Sequence, residues 1–369
     1  VGVWCGAQFT VCLDDNGKVW SFGDNQNGEL GTSTEEVPER SVPEIIPILP
    51  TIINISCGPN HTICVDYNGE VWAFGKNEYN LGLGHNNNCS SPQLVPGLPQ
   101  ISSVHTSYSH TICLAEDGSL WGFGSNEHGQ LGLKKQTTNA VTPQKLLLDN
   151  VKKVCCGRQH SIAMDCDENI FSCGSNEKGQ LGHGDYKTRF KFTKIDWEGL
   201  PEFIEAIDCG DDFSIFLCSD GDVYGCGNNE YGTISLRPVT KDVCRPTRLP
   251  FLSRIRKIYC GYQHTFCVDD KGNLDGFGSN EFGQLGLEDK RMVYMPTSIP
   301  VVGHVVMVSN KGLHSVFRDV DGLFVCGRNR CGQLATMPLY VREFRTPTQI
   351  PDTYSDMIGS LCNTKAKSA

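Results

Sequence analysis

Two stretches of the chain carry soft metal ligands at short spacing, Cys57…His61…Cys64 and Cys260…His264…Cys267. Cysteine and histidine sets of this kind hold zinc when four ligands converge. The same places, however, hold Cys5, Phe9 and Cys12 near the start of the chain, and Cys156, His160 and Ala163 further on. The cysteines thus stand where a pattern calls for a small apolar residue. No Cys-x-x-Cys pair accompanies them, so neither a metal nor any other cofactor is expected. A second chemical feature is the carboxylate pair Asp211-Asp212, suited to steering or anchoring a basic partner. No Ser-His-Asp arrangement, Walker-type phosphate loop or His-Glu-x-x-His helix can be assembled, so no hydrolytic or redox catalysis is expected. The recurrent Gly-x-Asn-x-x-Gly-Gln-Leu-Gly is followed by no helix that could offer a phosphate its N-terminus. It reads as a structural loop.

The elements that must position these residues repeat along the whole chain. A short apolar segment ending in Gly recurs at Gly23, Gly75, Gly124, Gly174, Gly227, Gly278 and Gly327, at intervals of 49 to 53 residues. Asn follows each of these glycines two residues later, and most copies then close with Gly-Gln-Leu-Gly or a near relative. Thirteen or fourteen residues before the Gly stands His61, His110, His160, His264 or His314, with Phe9 and Phe213 in the other two copies. A His that recurs at one strand start is more often a turn-closing hydrogen-bond donor than a reactive group. The two residues just before it vary: Ala7-Gln8, Pro59-Asn60, Tyr108-Ser109, Arg158-Gln159, Asp211-Asp212, Tyr262-Gln263 and Gly312-Leu313. All occupy the same turn of their repeat, so all project from one end of the molecule.

Each unit reads as four short strands separated by Gly, Asp and Asn turns. In the third copy these are 101–106, 110–115, 119–124 and 143–148. Seven units of four strands specify an all-β, seven-bladed β-propeller with four antiparallel strands per blade, an architecture that leaves only short protected edges. A solenoid would need atypical capping units, and the first and last copies keep the pattern. The end segment Thr346–Ile350 is expected to pair beside Val1–Cys5, so that N- and C-terminal strands share a blade and close the ring. The repeat residues Trp20, Trp72 and Trp121 are expected in the core. Residues 1–351 are read as a single propeller and 352–369 as a flexible C-terminal tail.

Forty glycines and only 20% charged residues suit short strands and tight turns. The net charge of −10 argues against a surface built to neutralise phosphates, so no direct nucleic-acid contact is expected. No apolar run approaches the roughly 20 residues of a membrane span, and a monomeric propeller off the membrane is expected. Val1-Gly2-Val3-Trp4-Cys5 has neither the basic nor the apolar region of a signal peptide. With no Met at position 1, the chain is expected to be an excerpt of a longer protein. Of 19 cysteines, most fall at repeat-equivalent strand positions, where a free thiol serves as a small hydrophobe. The odd count fits a reducing, intracellular compartment, cytoplasmic or nuclear.

The combination Cys-Gly-x-x-His-Thr, Asp-Gly-x-Val-Trp-x-Phe-Gly and Asn-x-x-Gly-Gln-Leu-Gly resembles the regulator of chromosome condensation family from Val1 to about Pro351. That resemblance implies the propeller fold and a protein partner. Within the family, members are interaction modules in ubiquitin ligases, adaptors and kinases, one is an exchange factor for the small GTPase Ran, and one branch is a plant ultraviolet-B photoreceptor. Family members form a GTPase-facing surface from acidic and His residues on the variable turns. Carried over by motif, this points to Asp211, Asp212, His61, His110, His160, His264 and His314, with Arg158, Gln159, Tyr262, Gln263 and Tyr108 beside them. No copy carries the inserted hairpin that serves Ran exchange, and no Trp stands on the turns where the photoreceptor reading needs one. The expected function is a regulatory or scaffolding protein-interaction module, with guanine-nucleotide exchange on a small GTPase as the alternative.

Overall fold

The computed structural model describes residues 2–33, 38–133, 139–197, 203–236, 242–288, 290–300, 303–319, 322–336 and 341–351. The tail read over 352–369 lies outside the described residues. Seven separate sheets, each of four antiparallel strands, follow one another along the chain as seven blades of a β-propeller. The first strand of each blade lines the central channel: Gly2–Cys5, Ile52–Cys57, Ile101–Thr106, Val151–Cys156, Ile204–Cys209, Ile255–Cys260 and Met307–Ser309. The second strands, such as His61–Asp66 and Phe213–Cys218, are buried along their whole length because a neighbouring blade covers each face. Their sequences accordingly read as near-continuous apolar runs rather than alternating ones.

Every second strand has one hydroxyl in this apolar setting, and each is satisfied across a blade boundary. Thr62, Thr111, Ser161, Ser214, Thr265 and Ser315 donate to the carbonyls of Glu29, Asn80, Gln130, Gln180, Thr233 and Gln284 in the preceding blade, at 2.7–3.2 Å. Those carbonyls belong to the recurrent Gly-Gln-Leu-Gly loop, which is therefore structural, as its sequence suggests. The Asn of the same motif turns inward, accepting the Leu amide at Leu131–Asn126, Leu181–Asn176 and Leu285–Asn280.

Ring closure differs from the sequence expectation. The segment Glu343–Gln349 pairs with Leu323–Arg328 of the seventh blade, and Gly2–Cys5 pairs with Phe9–Leu13 of the first. No strand is shared, because both terminal repeats carry a full set of four and neither leaves a gap to fill. The ring is closed instead by the same boundary contact used elsewhere. Thr10 donates to the Gln333 carbonyl at 2.7 Å, and the Cys5 amide donates to Ser309 Oγ at 2.9 Å.

Two further expectations need adjustment. Trp20, Trp72 and Trp121 are half-buried at the outer margin of the core rather than inside it. Their indole N–H groups donate to Asp14, Asp66 and Ser119, which satisfies the polar edge of each ring. The fourth strand of the third blade runs Ala140–Lys145, starting earlier than the sequence reading, which had begun it at Pro143.

Candidate functional site

The variable turns between first and second strands are knitted together around one mouth of the channel. The Arg158 amide donates to the Asp211 carbonyl at 2.9 Å, and the Asp211 amide to the Tyr262 carbonyl at 3.1 Å, linking blades four, five and six. Tyr108 of blade three and Tyr262 of blade six meet across the mouth, ring centroids 5.1 Å apart. The exposed Arg158 guanidinium lies over the Tyr108 ring at 5.3 Å, within cation–π range. Beneath this lid is a cavity of about 10 Å³, room for a single water, lined by Cys57, Cys156, Cys209, Cys260, Asp211 and Lys311 among others. Tyr108, Arg158, Asp211 and Tyr262 are thus brought together as one surface. Asp212, Tyr262 and Gln263 border a second cavity, of about 20 Å³, which Asp211 also lines. Gln159 is half-buried on the same turn as Arg158.

The electrostatics of the carboxylate pair are not those of two free acids. Asp211 is half-buried; burial and the adjacent Asp212 charge outweigh the pull of Arg158 and raise its pKa to about 8. At neutral pH Asp211 holds its proton. Deeper in the channel wall, burial raises Asp208 to about 6, against the opposing charge of Lys311 and the Cys260 amide that donates to it at 2.7 Å.

The five histidines do not reach this face. Each is at most 1% exposed, which corrects their place among the surface residues. They act as inter-blade ties: Nε2 of His61, His110, His160 and His314 meets the hydroxyls of Thr106, Ser161, Ser214 and Thr10 at 2.7–3.0 Å. Ser161, Ser214 and Thr10 already spend their single proton on a carbonyl, so there the imidazole must be the donor, in its neutral Nε2–H form. His264 packs edge-on against Phe266 instead. Burial pushes His61, His110, His264 and His314 down to about 3, which keeps them neutral. The turn Gly has its reason here too: a Cβ on Gly58 would sit 2.0 Å from the His61 ring.

Sequence reasoning missed Lys311. It occupies the place of that turn Gly in the seventh copy, and its ammonium reaches across the channel to the Thr106 carbonyl at 3.5 Å. The signal was a break in the repeat, since Lys stands where most copies carry the turn Gly.

The profile of the RCC1-like domain family matches residues 1–256, and that of the regulator of chromosome condensation (RCC1) repeat matches residues 255–284. The chain belongs to the RCC1-like domain family. The ultraviolet-B receptor UVR8 of Arabidopsis thaliana is 32% identical over 302 residues, covering 78% of this chain and 67% of the receptor. The serine/threonine-protein kinase Nek9 of Mus musculus is 27% identical over 91% of this chain, which spans only 26% of the kinase. Among solved structures, Prp20p of Saccharomyces cerevisiae, described with its binding to Gsp1p and histones, superposes with a TM-score of 0.76 at 24% identity. That match covers 84% of this chain and 80% of Prp20p and speaks to the fold alone. Propellers of this family fit a regulatory or protein-interaction module.

Proposed function

We propose that this RCC1-like propeller docks a basic protein partner on the lid over the channel mouth, across blades three to six. The observation that carries the reading is the Tyr108–Arg158–Asp211–Tyr262 cluster, where half-buried aromatic rings sit beside an exposed Arg. Such residues anchor interfaces, while a flanking carboxylate such as Asp212 steers association. The module is regulatory or scaffolding, and we place it in a reducing compartment, cytoplasmic or nuclear, a reading supported by the described cysteines being free thiols. The second reading is guanine-nucleotide exchange on a small GTPase, supported by the family resemblance and opposed by the absence of an inserted hairpin.

Asp212→Lys and Arg158→Ala, combined, leave the backbone ties of the turn intact and should fold normally. Quantitative pull-downs should show the partner retained by the parent and depleted at least about tenfold by the variant, a loss of roughly 1.4 kcal/mol. Equal capture by parent and variant removes this face. Nucleotide release from a panel of small GTPases, accelerated by the parent and not by the variant, would place exchange above scaffolding.

A further inference from the structure

Seven joints connect the channel strands of neighbouring blades, and the side chains that meet there differ from joint to joint. At several joints the penultimate position of one first strand supports the last residue of the next. Ser56 Oγ accepts the Thr106 amide at 3.0 Å, Asp208 Oδ2 the Cys260 amide at 2.7 Å, and Ser309 Oγ the Cys5 amide at 2.9 Å. Between blades four and five that position is Cys155, and opposite it stands Cys209. Their sulfurs are 2.7 Å apart, both residues are buried, and both are free thiols. The Cys209 amide is turned instead to the carboxylate of Asp208 at 2.8 Å. This joint is therefore a thiol–thiol contact that lies less than an ångström from the covalent S–S distance of about 2.05 Å.

We propose that Cys155 and Cys209 form a reversible redox site, oxidised by hydrogen peroxide to an inter-blade disulfide. The two sulfurs have different surroundings, which gives each a role. Both belong to the apolar core between blades four and five, but only Cys209 also lines the water-sized cavity under the channel lid, together with Lys311. Burial opposes a thiolate at Cys209, while the hydrogen bond from Cys155 and the charge of Lys311 favour one and pull that thiol down. Burial and the shared hydrogen bond push Cys155 the other way. Cys209 is thus the sulfur that peroxide meets and Cys155 the one that resolves.

The Cys209 thiolate attacks one peroxide oxygen, the O–O bond breaks, and the departing hydroxide takes up the thiol proton as water. The resulting sulfenic acid is attacked at sulfur by Cys155; the S–S bond forms and a second water leaves with the Cys155 proton. Two thiols and one peroxide give one disulfide and two waters. The bond joins blades four and five directly below the turn on which Arg158 and Asp211 meet, and a cellular thiol would reverse it.

The test is peptide mapping of the full chain under non-reducing conditions after exposure to hydrogen peroxide. The expected product is one cross-link between the peptides holding Cys155 and Cys209, two hydrogens lighter than their sum, reversed by dithiothreitol. Fragmentation must place the bond on Cys155 and not on Cys156. Cys156→Ser should keep the cross-link, and Cys209→Ser should abolish it. Should Cys209→Ser not fold, Cys155→Ser in its place should leave Cys209 as a trappable sulfenic acid, detected with dimedone. Oxidation that falls on exposed Cys166 or other thiols while Cys155 and Cys209 stay reduced would overturn the proposal. So would a bond formed through Cys156.

Discussion

His110 illustrates how much a single buried side chain contributes to this molecule. Its ring fills the space over the turn and ties blade three to Ser161 of blade four at 2.9 Å. Removing it in His110→Ala should cost about 2–5 kcal/mol, as other large-to-small core changes do. His110→Phe should stay within about 1.5 kcal/mol, because blades one and five already carry Phe9 and Phe213 at that position. The pH dependence separates the two effects of the ring. The folded value of about 3 lies below the ordinary 6.5, so neutral His110 contributes stability that is complete above 6.5 and is lost as pH falls toward 3. His61, His264 and His314 act in the same direction. Asp208 and Asp211, raised to about 6 and about 8, act in the opposite one, their contribution fading as pH rises. Urea unfolding at pH 7 and pH 5 should therefore show the parent losing about 2 kcal/mol more than His110→Phe over that interval. An identical loss in both would mean the histidine is already charged in the fold. The structural use of these histidines was legible in the sequence from the Phe that replaces them. Their burial was not, because a turn-adjacent position says nothing about which way a ring points. Lys311 and Cys155 escaped for a related reason: pattern reading averages over copies, whereas Lys311 departs from the turn Gly of most copies and Cys155 stands at a position that varies from copy to copy.

Strands were the most readable elements, and their outer members the least. The second strands announce themselves as unbroken apolar runs because both faces are covered. The fourth strands lie at the outside of each blade and mix exposed and half-buried residues, as in Ala140–Lys145 and Val243–Arg248. Pro43, Pro92, Pro143, Pro246, Pro296 and Pro347 all sit within them. A proline usually signals where a strand starts or stops, yet on an edge strand its missing N–H faces outward and pairing continues past it. The same prolines protect the edges from pairing with other chains. What binds one blade to the next is the second-strand hydroxyl, and that can be tested where it acts without a histidine tie. Thr265→Val keeps the shape and the β-propensity of the strand but leaves the buried Thr233 carbonyl without its 2.8 Å donor. The expected loss is about 1–3 kcal/mol, the usual consequence of orphaning a buried acceptor, seen as a lower urea midpoint with an unchanged slope. A neutral result would assign the cohesion between blades to apolar packing alone.

At the scale of the whole ring, the question is what keeps the first and seventh blades together when no strand crosses between them. Their shared core mixes Val3, Cys5, Cys12 and Phe22 of the first blade with Val316, Leu323, Val325, Leu334 and Ile350 of the seventh. Thr10 donates to the Gln333 carbonyl, so this boundary repeats the hydroxyl–carbonyl bond of the other six, and its hydroxyl also meets His314. A ring closed in this way has blades that are each complete in hydrogen bonding, and local damage should stay local. Removing residues 343–369 takes away the outer strand of blade seven and exposes the Leu323–Arg328 edge. Amide hydrogen exchange should then quicken across Leu323–Arg328, while the amides of Gly2–Cys5 that pair with Phe9–Leu13 remain protected. A ring closed by a shared terminal strand predicts the reverse order, with Gly2–Cys5 losing protection first. Observing that order would restore strand sharing and discard side-by-side closure.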